Sequence, residues 1–392
     1  MKKIILKKGK HQSVLRHHPW IFSGAIQSLP ENLEEGDLVA VYAADGSVLG
    51  VGHYQIGSIA VRLLDFGVDS LPDNFFDLRL RNAFHMRKTL GLITPDNTCC
   101  RIVHGEGDFL PGLVVDLYGD TAVMQAHSPG MHFCRSIIAN ALTEIPGSPI
   151  RNVYYKSETT LPFKAQLDPQ NEYLVGHFDG AVALENGFKF NIDWLKGQKT
   201  GFFVDQRDNR RLLGKYAHGR KVLNLFCYTG GFSVYALAGG AESVHSVDSS
   251  SKAIELTEAN VEMNFPDCRR HKAFDQDAFK FLSEMPSEEY SLIILDPPAF
   301  VKHRAALKNG LAGYRRINTK AFEKITPGGI LFTFSCSQLV SKEMFRLAVF
   351  SAAEQAGRKV RILHQLTQGA DHPVNIAHPE GEYLKGLVLY VE

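Results

Sequence analysis

The sequence predicts an α/β protein in which a doubly wound, mostly parallel sheet follows a small β-barrel domain and a central α+β domain. From about residue 185 onward, short apolar segments alternate with segments of helical periodicity, as in parallel sheets covered by helices. The first 70 residues hold short alternating stretches separated by turn residues, which indicates a barrel. At 392 residues, the chain is also longer than one typical core requires.

The sequence indicates three domains: the barrel at residues 1–70, a linking α+β domain at residues 71–185, and the parallel sheet at residues 186–392. Barrel strands are expected where glycine and aspartate turns separate alternating stretches, at residues 37–42, 48–54 and 58–64. In the linking domain, helices are expected at residues 77–90 and 133–142, and strands at residues 100–104, 113–117, 121–125 and 153–156.

The third domain contains the alternation that defines the fold class. Strands are expected at residues 221–226, 243–248, 291–295, 329–335 and 385–391, and helices at residues 231–238, 252–263, 317–325 and 342–356. In sheets of this kind, ligands bind beyond the carboxyl ends of the strands. This topology brings residues 228–231, Asp248, residues 296–300 and Cys336 to one edge, and we expect the functional site there.

Charge and cysteine content constrain the function only slightly. Lysine and arginine total 43 against 42 acidic residues, and the resulting net charge of +1 does not by itself indicate a nucleic-acid-binding protein. The first 18 residues are basic, with Lys8, Lys10 and Arg16 among their cations; a solvated terminus explains them equally well. The six cysteines contain no CxxC pair, so we expect no metal site and a reduced, cytoplasmic protein. The sequence has no signal core and no apolar run of membrane length.

A glycine turn follows the first strand of the parallel sheet. Tyr228, Thr229 and Gly230 lead into a helix, where glycine lets the backbone approach a ligand and the helix N-terminus offers free N–H groups. The G-x-G-x-x-G fingerprint is absent, which argues against a nicotinamide dehydrogenase. Asp248 ends the next strand about 20 residues later, where an acid commonly binds ribose hydroxyls. The alternative is a helix N-cap, supplied by Asp248 or by a following serine.

Further acids follow the later strands. Asp275 and Asp277 come after a short expected strand, and either one could contact an adenine or cap a helix over residues 278–285. Asp296 precedes two prolines, which end the strand and hold the carboxylate at its end. With Phe300 as an apolar surface, this arrangement suits a site that grips a planar base.

Cys336 is the candidate nucleophile, because it lies between two serines at the end of a strand on the ligand edge. A buried cysteine usually acts as a small apolar residue, which is our interpretation of Cys227. A thiol with an ordinary pKa of about 8.5 is mostly protonated near neutrality. A nucleophilic cysteine here therefore needs a helix N-terminus or a cation nearby, with Lys302, Arg315 and Arg316 as candidates.

These stretches occur together in a known family. The chain resembles the PUA-containing class I methyltransferases that make 5-methylcytosine in large-subunit ribosomal RNA, the ribosomal RNA large subunit methyltransferase I-like family. The matching stretches are HPWIFSG at residues 18–24, KTGFFVDQRDNR at 199–210, NLFCYTGGFSV at 224–234, the strand ending at Asp248, DPPAF at 296–300, GYRRIN at 313–318, FTFSCS at 332–337 and the terminal DHPV and PEGEYLKG. They cover essentially the whole chain in order, and their combination is highly specific, although many base methyltransferases share DPP.

The resemblance implies a Rossmann-like domain that binds S-adenosylmethionine, preceded by a PUA-type RNA-binding barrel and a linking domain. The implied cofactor contacts are Thr200, Asp205, Gln206, Phe226, Tyr228, Thr229, Gly230, Asp248, Ser249, Asp277, Asp296 and Pro297. Three of these residues, Thr200, Asp205 and Gln206, would close over the cofactor. The implied catalytic residues are Cys336 and Asp296, and the implied RNA contacts are Lys8, Lys10, Arg16, His18 and Trp20.

The implied reaction forms 5-methylcytosine through a covalent adduct. Cys336 would attack carbon 6 of cytosine and so make carbon 5 nucleophilic, while Asp296 would hold the base edge and favour protonation at N3. Many RNA cytosine methyltransferases carry a second cysteine after the motif acid, but this chain has Pro297 there, so product release would use one cysteine. The target base must leave its stack, and phosphate contacts from the barrel and basic terminus would offset that cost.

Two other functions stay open at the level of sequence. One is an RNA base N-methyltransferase that uses the DPP acid without a thiol, and the other is a non-catalytic RNA-binding factor for ribosome assembly. The expected partner is large-subunit (23S) ribosomal RNA, without a membrane, and a homodimer is left open. The sequence does not identify the target cytosine or the base that removes the carbon-5 proton.

Overall fold

A computed structural model describes residues 1–162, 165–178, 180 and 182–392 of the chain. The chain folds into two compact units. Unit 1 contains residues 1–187, 192–204 and 370–381, and unit 2 contains residues 188–191, 205–369 and 382–392.

The strands are β1 (Lys2–Leu6), β2 (Trp20–Phe22), β3 (Ile26–Ser28), β4 (Leu38–Tyr42), β5 (Val48–Tyr54), β6 (Ile59–Phe66), β7 (Cys99–His104), β8 (Leu113–Tyr118), β9 (Thr121–Ala126), β10 (Asn152–Tyr155), β11 (Glu172–Val175), β12 (Val182–Glu185), β13 (Phe188–Asn191), β14 (Lys221–Leu225), β15 (Ser243–Asp248), β16 (His271–Asp275), β17 (Leu292–Leu295), β18 (Gly329–Ser335), β19 (Val360–Leu366) and β20 (Lys385–Val391). The helices are α1 (Gln12–Leu15), α2 (Phe75–Thr89), α3 (Pro129–Phe133), α4 (Arg135–Thr143), α5 (Arg207–Tyr216), α6 (Gly231–Ala238), α7 (Ser251–Asn264), α8 (Ala278–Glu284), α9 (Leu307–Lys324) and α10 (Lys342–Gln355).

Unit 1 contains two larger sheets with separate cores. Six strands pair in the order β2-β6-β5-β4-β1-β3, and their buried side chains, such as Ile4, Val39 and Val61, form one core. Five strands pair in the order β11-β10-β9-β8-β7, and their core includes Leu80 of α2 and Ile138 of α4. The strands predicted in the first 70 residues and in the linking domain are therefore present.

Unit 2 is built on a seven-stranded sheet in the order β16-β15-β14-β17-β18-β20-β19. The five strands from β16 to β18 are parallel, and β20 and β19 add two antiparallel strands at one side. Strand order reverses between β14 and β17, and the crevice at such a reversal is where open α/β sheets bind ligands. This sheet confirms the predicted fold class and puts the ends of β14, β17 and β18 side by side.

Some elements differ from the sequence-based expectation. The helix expected over residues 133–142 is two helices, because Ser128 accepts a hydrogen bond from the Met131 N–H and starts α3 at Pro129, six residues before α4 begins. Strands β1, β2, β3 and β19 and helix α5 lie in segments for which no element was predicted. Since the first two larger sheets lie in one compact unit, the domain boundary near residue 70 stays a prediction.

Helix α9 is longer than its periodicity predicts. The pattern indicates a helix over residues 317–325, whereas α9 spans Leu307–Lys324. The first turns of α9 were not predicted because they contain Gly310 and Gly313, and glycine disfavours a helix by about 1 kcal/mol relative to alanine. A Cβ atom at Gly310 would lie 2.2 Å from Cγ2 of Val301. Close packing against the segment after β17 therefore requires glycine, whatever its helix propensity.

None of the helices formed by the described residues is both long enough and apolar enough to cross a membrane.

Candidate active site

The loop after β14 has an unusual backbone. Phe226, Tyr228 and Gly230 have φ angles of +59°, +47° and +75°. For side chains other than glycine this region costs roughly 1–2 kcal/mol, and such strain clusters at functional sites. The cost is offset by hydrogen bonds, in which the Tyr228 N–H donates to Oδ2 of Asp248 over 3.0 Å and Thr257 Oγ1 donates to the Tyr228 carbonyl over 2.9 Å.

Gly230 has no room for a side chain. A Cβ atom there would lie 2.7 Å from Cγ2 of Thr257 on α7. The neighbouring Thr229 is buried, and its carbonyl accepts a hydrogen bond of 2.9 Å from Nδ2 of Asn260. The loop is therefore anchored to α7 through three consecutive residues.

Asp248 holds this loop and does not cap a helix. Its second carboxylate oxygen accepts from the Ser250 N–H over 3.1 Å. Ser250 itself is the N-cap of α7, because its side chain accepts from the Ala253 N–H. The cap alternative thus belongs to the following serine, and Asp248 and the exposed Ser249 remain on the ligand edge of the sheet.

Asp277 is the N-cap of α8. Its Oδ1 accepts from the Lys280 N–H over 2.9 Å. Of the two roles that the sequence left open, an adenine contact or a helix cap, the structure shows the helix cap. Asp275 is hydrogen-bonded to the Ser251 hydroxyl. A cofactor contact by Asp277 stays a prediction, since only one of its carboxylate oxygens is used by the cap.

Asp296 lies at the end of β17 among polar side chains from α5 and the segment before it. Nε2 of Gln206 donates to Oδ2 of Asp296 over 3.1 Å. The pKa of Asp296 is raised to about 7, mainly by burial and also by the negative charge of Asp205, whereas the Gln206 hydrogen bond and the charge of Arg210 act in the opposite direction. A group with this pKa can hold or release a proton near neutrality.

The polar residues that precede β14, within the stretch at residues 199–210, contribute buried side chains to the site. Asn209 and Arg210 are buried, with 4% and 3% of their surface exposed. Nδ2 of Asn209 donates to Oε1 of Gln206 over 2.6 Å and so orients the amide that binds Asp296. The Tyr383 hydroxyl donates to Oδ2 of Asp205 over 2.7 Å, while the buried Oδ1 of Asp205 has no hydrogen-bond partner in the part of the chain that the structure describes.

Cys336 lies one residue beyond β18, next to the residues that follow β17. The two strands pair in parallel with Leu295 opposite Thr333, and the Cys336 thiol lies 4.0 Å from the carbonyl oxygen of Pro297. The side chain is partly exposed. Cys227, by contrast, is buried, contacts Thr257 and has a pKa raised by burial to about 12.

The environment of Cys336 opposes ionisation in the absence of a bound cation. Burial raises the pKa of its thiol to about 12, with further contributions from the negative charges of Asp296 and Asp205. The charge of Lys385 acts in the opposite direction. A positive charge close to these two acids would therefore favour both carboxylates and the thiolate.

Lys385 is a site residue that the sequence analysis missed. It lies on β20 opposite Ser335, is 4% exposed, and donates from Nζ to the Ser337 carbonyl over 2.6 Å. Burial lowers its pKa to about 8. Of the cations considered from sequence, Arg316 instead lies over the ring of Phe279 at 4.8 Å. The only sequence signal for Lys385 was its place in the PEGEYLKG stretch.

Thr200 lies in unit 1, where its hydroxyl is already engaged. It donates to Oδ2 of Asp116 over 2.6 Å and lies 2.9 Å from the Tyr118 hydroxyl, with 1% of its surface exposed. Asp116 also receives a bidentate pair from Arg101 at 2.7 and 2.8 Å. A cofactor contact by Thr200 stays a prediction.

The predicted RNA contacts fall into two groups within unit 1. Lys8, Lys10 and Arg16 are exposed. Trp20 is partly buried, donates from Nε1 to Oε1 of Glu106 over 2.7 Å, and has the Arg62 guanidinium 5.3 Å from its ring. His18 belongs to the second group, with Nε2 3.5 Å from Oε1 of Glu380 and its ring 6.0 Å from that of Trp20. The RNA-binding role of all five residues stays a prediction.

Comparisons with known proteins agree with both parts of the chain. A family model described as S-adenosylmethionine-dependent methyltransferase matches residues 137–369, and a PUA-like domain model matches residues 4–66. The chain is 41% identical to the ribosomal RNA large subunit methyltransferase I of Aeromonas hydrophila, over 98% of each chain, and 40% identical to that of Tolumonas auensis, again over 98% of each.

A solved structure supports the fold. It is described as a SAM-dependent methyltransferase from Streptococcus mutans and superposes with a TM-score of 0.84 at 23% identity, over 100% of both chains. The resemblance inferred from the motifs is thereby confirmed. This chain belongs to the S-adenosylmethionine-dependent methyltransferases and, among them, to the ribosomal RNA large subunit methyltransferase I family.

Proposed function

We propose that this protein methylates carbon 5 of a cytosine in large-subunit ribosomal RNA through a covalent adduct of Cys336. The observation that carries the proposal is the position of Cys336, partly exposed and 4.0 Å from the Pro297 carbonyl that follows the motif acid Asp296. The names of the relatives, which are large-subunit ribosomal RNA methyltransferases, support the substrate class. A PUA-like domain at residues 4–66 supports contact with RNA.

The residues at the ends of β14, β15 and β17 fit S-adenosylmethionine. The buried Oδ1 of Asp205, which has no hydrogen-bond partner among the described residues, and the raised pKa of Asp296 mark a place where two acids repel each other. A positively charged ligand would relieve that repulsion. We propose that Asp205, Gln206, Asp248 and Asp296 hold the cofactor, together with the backbone of the Phe226–Gly230 loop, Ser249, Asp277 and Pro297. When bound, S-adenosylmethionine supplies an electrophilic methyl group.

The residues of the chain then divide the remaining work. The Cys336 thiolate forms a bond to carbon 6 of the cytosine, and the electron pair displaced from the ring makes carbon 5 nucleophilic. N3 gains a proton as the adduct forms, which balances the proton that the Cys336 thiol gave up. The Asp296 carboxylate, ionised beside the positive charge of the cofactor, would accept a hydrogen bond from this N–H and so favour the protonated base. After methyl transfer, the carbon-5 proton passes to water, and the electron pair of that C–H bond re-forms the double bond between carbons 5 and 6. Sulfur then leaves carbon 6 as the thiolate, and N3 loses the proton that it had gained.

Lys385 supports the charge on the nucleophile. Its ammonium lowers the pKa of Cys336, and the thiolate in turn favours the charged lysine. Since Lys385 is buried and fixed by the Ser337 carbonyl, it would hold this charge in place without a reorganisation of solvent. We assign it as a positioning residue for Cys336.

Replacement of the cysteine tests the chemistry. Cys336→Ala should abolish methylation of protein-free 23S ribosomal RNA, because activation of carbon 5 requires the cysteine sulfur. Cofactor binding does not require it, so the affinity for S-adenosylmethionine should stay within about twofold of the wild-type value. Cys268→Ala, which changes another partly exposed cysteine of unit 2, is the matched control and should methylate normally. Nucleoside analysis by mass spectrometry identifies the methylated atom.

A trapping experiment adds an independent readout. RNA that contains 5-fluorocytidine cannot lose a proton from carbon 5, so the wild-type protein should remain attached to it through denaturing electrophoresis, and Cys336→Ala should not. A normal rate in Cys336→Ala, or a methyl group on an exocyclic nitrogen, contradicts the proposal. Failure of the wild-type protein to consume S-adenosylmethionine with any ribosomal RNA would favour a non-catalytic role.

A further inference from the structure

One surface of unit 2 has a charge composition that the chain as a whole does not. Residues 297–322 contain six lysines and arginines and no aspartate or glutamate, although the whole chain has 43 basic and 42 acidic residues. The six are Lys302, Arg304, Lys308, Arg315, Arg316 and Lys320. We call this stretch the basic segment; it comprises the loop after β17 and most of α9.

The cations of the basic segment face solvent. One side of α9 is buried through Gly310, Tyr314 and Ile317, whereas Lys308 and Arg315, seven residues and thus about two turns apart, share the exposed side. Lys302 and Arg304 extend the exposed charge into the preceding loop. Among the described residues, the only member of the segment that forms an ion pair is Lys320, with Glu323 at 2.8 Å.

The basic segment is held firmly against the motif that carries Asp296. A Cβ atom at Gly310 would lie 3.0 Å from the Phe300 carbonyl oxygen, and one at Gly313 would lie 3.1 Å from the Phe300 ring. That ring also packs against Tyr314 at 4.7 Å. On the other side, the Arg316 guanidinium lies 4.8 Å from the Phe279 ring. The position of α9 relative to the end of β17 is therefore fixed by close contacts.

An open cleft on this surface offers mixed polar contacts. It has a volume of about 400 Å³, and its polar lining includes three cations, two amides and one carboxylate, Glu323, which pairs with Lys320. The other polar residues are Asn309, Arg315, Arg316, Thr319 and Gln355. Amide and guanidinium donors of this kind bind phosphate oxygens, and unpaired surface cations cost little to desolvate against a polyanion. The cleft has room for a phosphate group and its sugar.

We infer that the basic segment is a second RNA-binding surface, which holds the phosphate backbone beside the target nucleotide. This inference rests on the proposed function, because that function supplies the RNA. Unpairing a base costs a few kcal/mol, and phosphate contacts adjacent to the reacting end would hold the flanking strand while the base is extruded. The surface differs from the PUA-like domain, which lies at residues 4–66 of unit 1.

The test compares two triple variants with the same change in charge. Lys302→Gln/Lys308→Gln/Arg315→Gln removes three cations from the basic segment, and Arg316 is left in place because it packs on Phe279. The control, Lys215→Gln/Lys272→Gln/Lys359→Gln, removes three other exposed lysines of unit 2. Affinity for protein-free 23S ribosomal RNA is measured over a series of salt concentrations.

We expect the basic-segment variant to bind the RNA about tenfold more weakly and to lower the slope of log affinity against log salt by about 2 to 3, the counterions released by three phosphate contacts. The control variant should keep the wild-type slope, since its charges lie elsewhere. S-adenosylmethionine affinity should be unchanged in both variants. The inference is overturned if the slope of log affinity against log salt is the same in the two triple variants, whether both keep the wild-type slope or both lose the same amount of it.

The outcome is separable from that of the proposed chemistry. If the slope changes as expected but no methyl group appears on carbon 5, the surface stands and the cytosine chemistry fails. If the wild-type protein methylates carbon 5 and the basic-segment variant binds RNA with the wild-type slope, the chemistry stands and the surface fails.

Discussion

The ammonium of Lys385 donates a hydrogen bond of 2.6 Å to the carbonyl oxygen of Ser337, the residue that follows Cys336. The contact joins the last strand of the chain to the end of β18, where the register sets Lys385 opposite Ser335. The positive charge of this buried cation lowers the pKa of the Cys336 thiol and so acts against the negative charges of Asp296 and Asp205, which both raise it.

We therefore predict that Lys385→Met makes Cys336 less reactive. Loss of the positive charge raises the thiol pKa further, and at a pH of about 8 the rate of alkylation by iodoacetamide should fall by about tenfold, the effect of one pKa unit on the thiolate fraction. Quantitative mass spectrometry of the peptide that contains Cys336 measures this rate without interference from the other five cysteines.

Two control variants separate charge from structure. Lys385→Arg keeps the charge and should restore most of the reactivity, whereas Lys342→Met removes an exposed neighbouring lysine and should change the rate by less than about twofold. The assignment of Lys385 fails if Lys385→Met leaves the pH profile of alkylation where the wild-type protein has it.

The pKa of Asp296, raised to about 7, predicts how cofactor affinity depends on pH. A cation bound near Asp296 favours the ionised carboxylate, so binding releases a proton wherever the free protein holds one. The affinity for S-adenosylmethionine should therefore rise with pH up to about 7 and level off above it. Titration calorimetry in buffers of different ionisation enthalpy measures both the affinity and the released proton.

S-adenosylhomocysteine provides the matched ligand, because its sulfur is uncharged. Its affinity should depend on pH much less than that of S-adenosylmethionine. In Asp296→Asn the pH dependence below 7 should be lost for both ligands, since no carboxyl group remains at this position. An equal pH dependence for the two ligands in the wild-type protein would mean that the sulfonium lies away from Asp296.

Replacement of glycine by alanine should lower the free energy of unfolding more at position 230 than at position 219. Both have a positive φ, +75° and +66°, but a Cβ atom at Gly230 would meet Thr257 at 2.7 Å and one at Gly219 would meet nothing within 4 Å. Gly219→Ala should lower the free energy of unfolding by about 1 kcal/mol from backbone strain alone. Gly230→Ala should cost a further 1–3 kcal/mol or so from the steric conflict.

Urea denaturation measures both free energies, and cofactor affinity adds a second readout. Gly230→Ala should weaken S-adenosylmethionine binding because it displaces the loop that ends β14, whereas Gly219→Ala should leave binding unchanged. If the two variants lose equal stability, Thr257 moves aside without cost, and the close contact does not determine the residue at position 230.

The sequence predicted strands of a mostly parallel sheet and the edge where their ends meet, because apolar strands that end in glycine, aspartate or proline are local signals. Strand β18 and helix α6 have the predicted bounds. The role of Lys385 was not predictable from local pattern, since it depends on an antiparallel pairing between strands about 50 residues apart in the chain. The burial of Arg210 in helix α5 was also not predictable from the local pattern, because charged residues are rarely buried.

Replacement of Arg87 in unit 1 should cause a large loss of stability. Its guanidinium is fully buried and pairs with both carboxylate oxygens of Asp108, and it also donates to the Arg101 and Asp371 carbonyls over 2.8 and 2.7 Å. Arg87→Met would leave the Asp108 carboxylate buried without its cation, which typically costs about 3–5 kcal/mol. Arg79→Met removes a partly exposed arginine of the same helix, 3.4 Å from Asp65, and should cost about 1 kcal/mol or less.

The double variant Arg87→Met/Asp108→Asn identifies the source of this loss. If the unpaired charge dominates, removal of the carboxylate should recover about half of the lost free energy, because a neutral amide is much cheaper to bury. The remainder then measures the hydrogen bonds to Arg101 and Asp371. Thermal and urea denaturation of the wild-type protein, Arg87→Met, Asp108→Asn and the double variant form a double-mutant cycle. An additive result would show that the Arg87–Asp108 contact contributes no coupling energy.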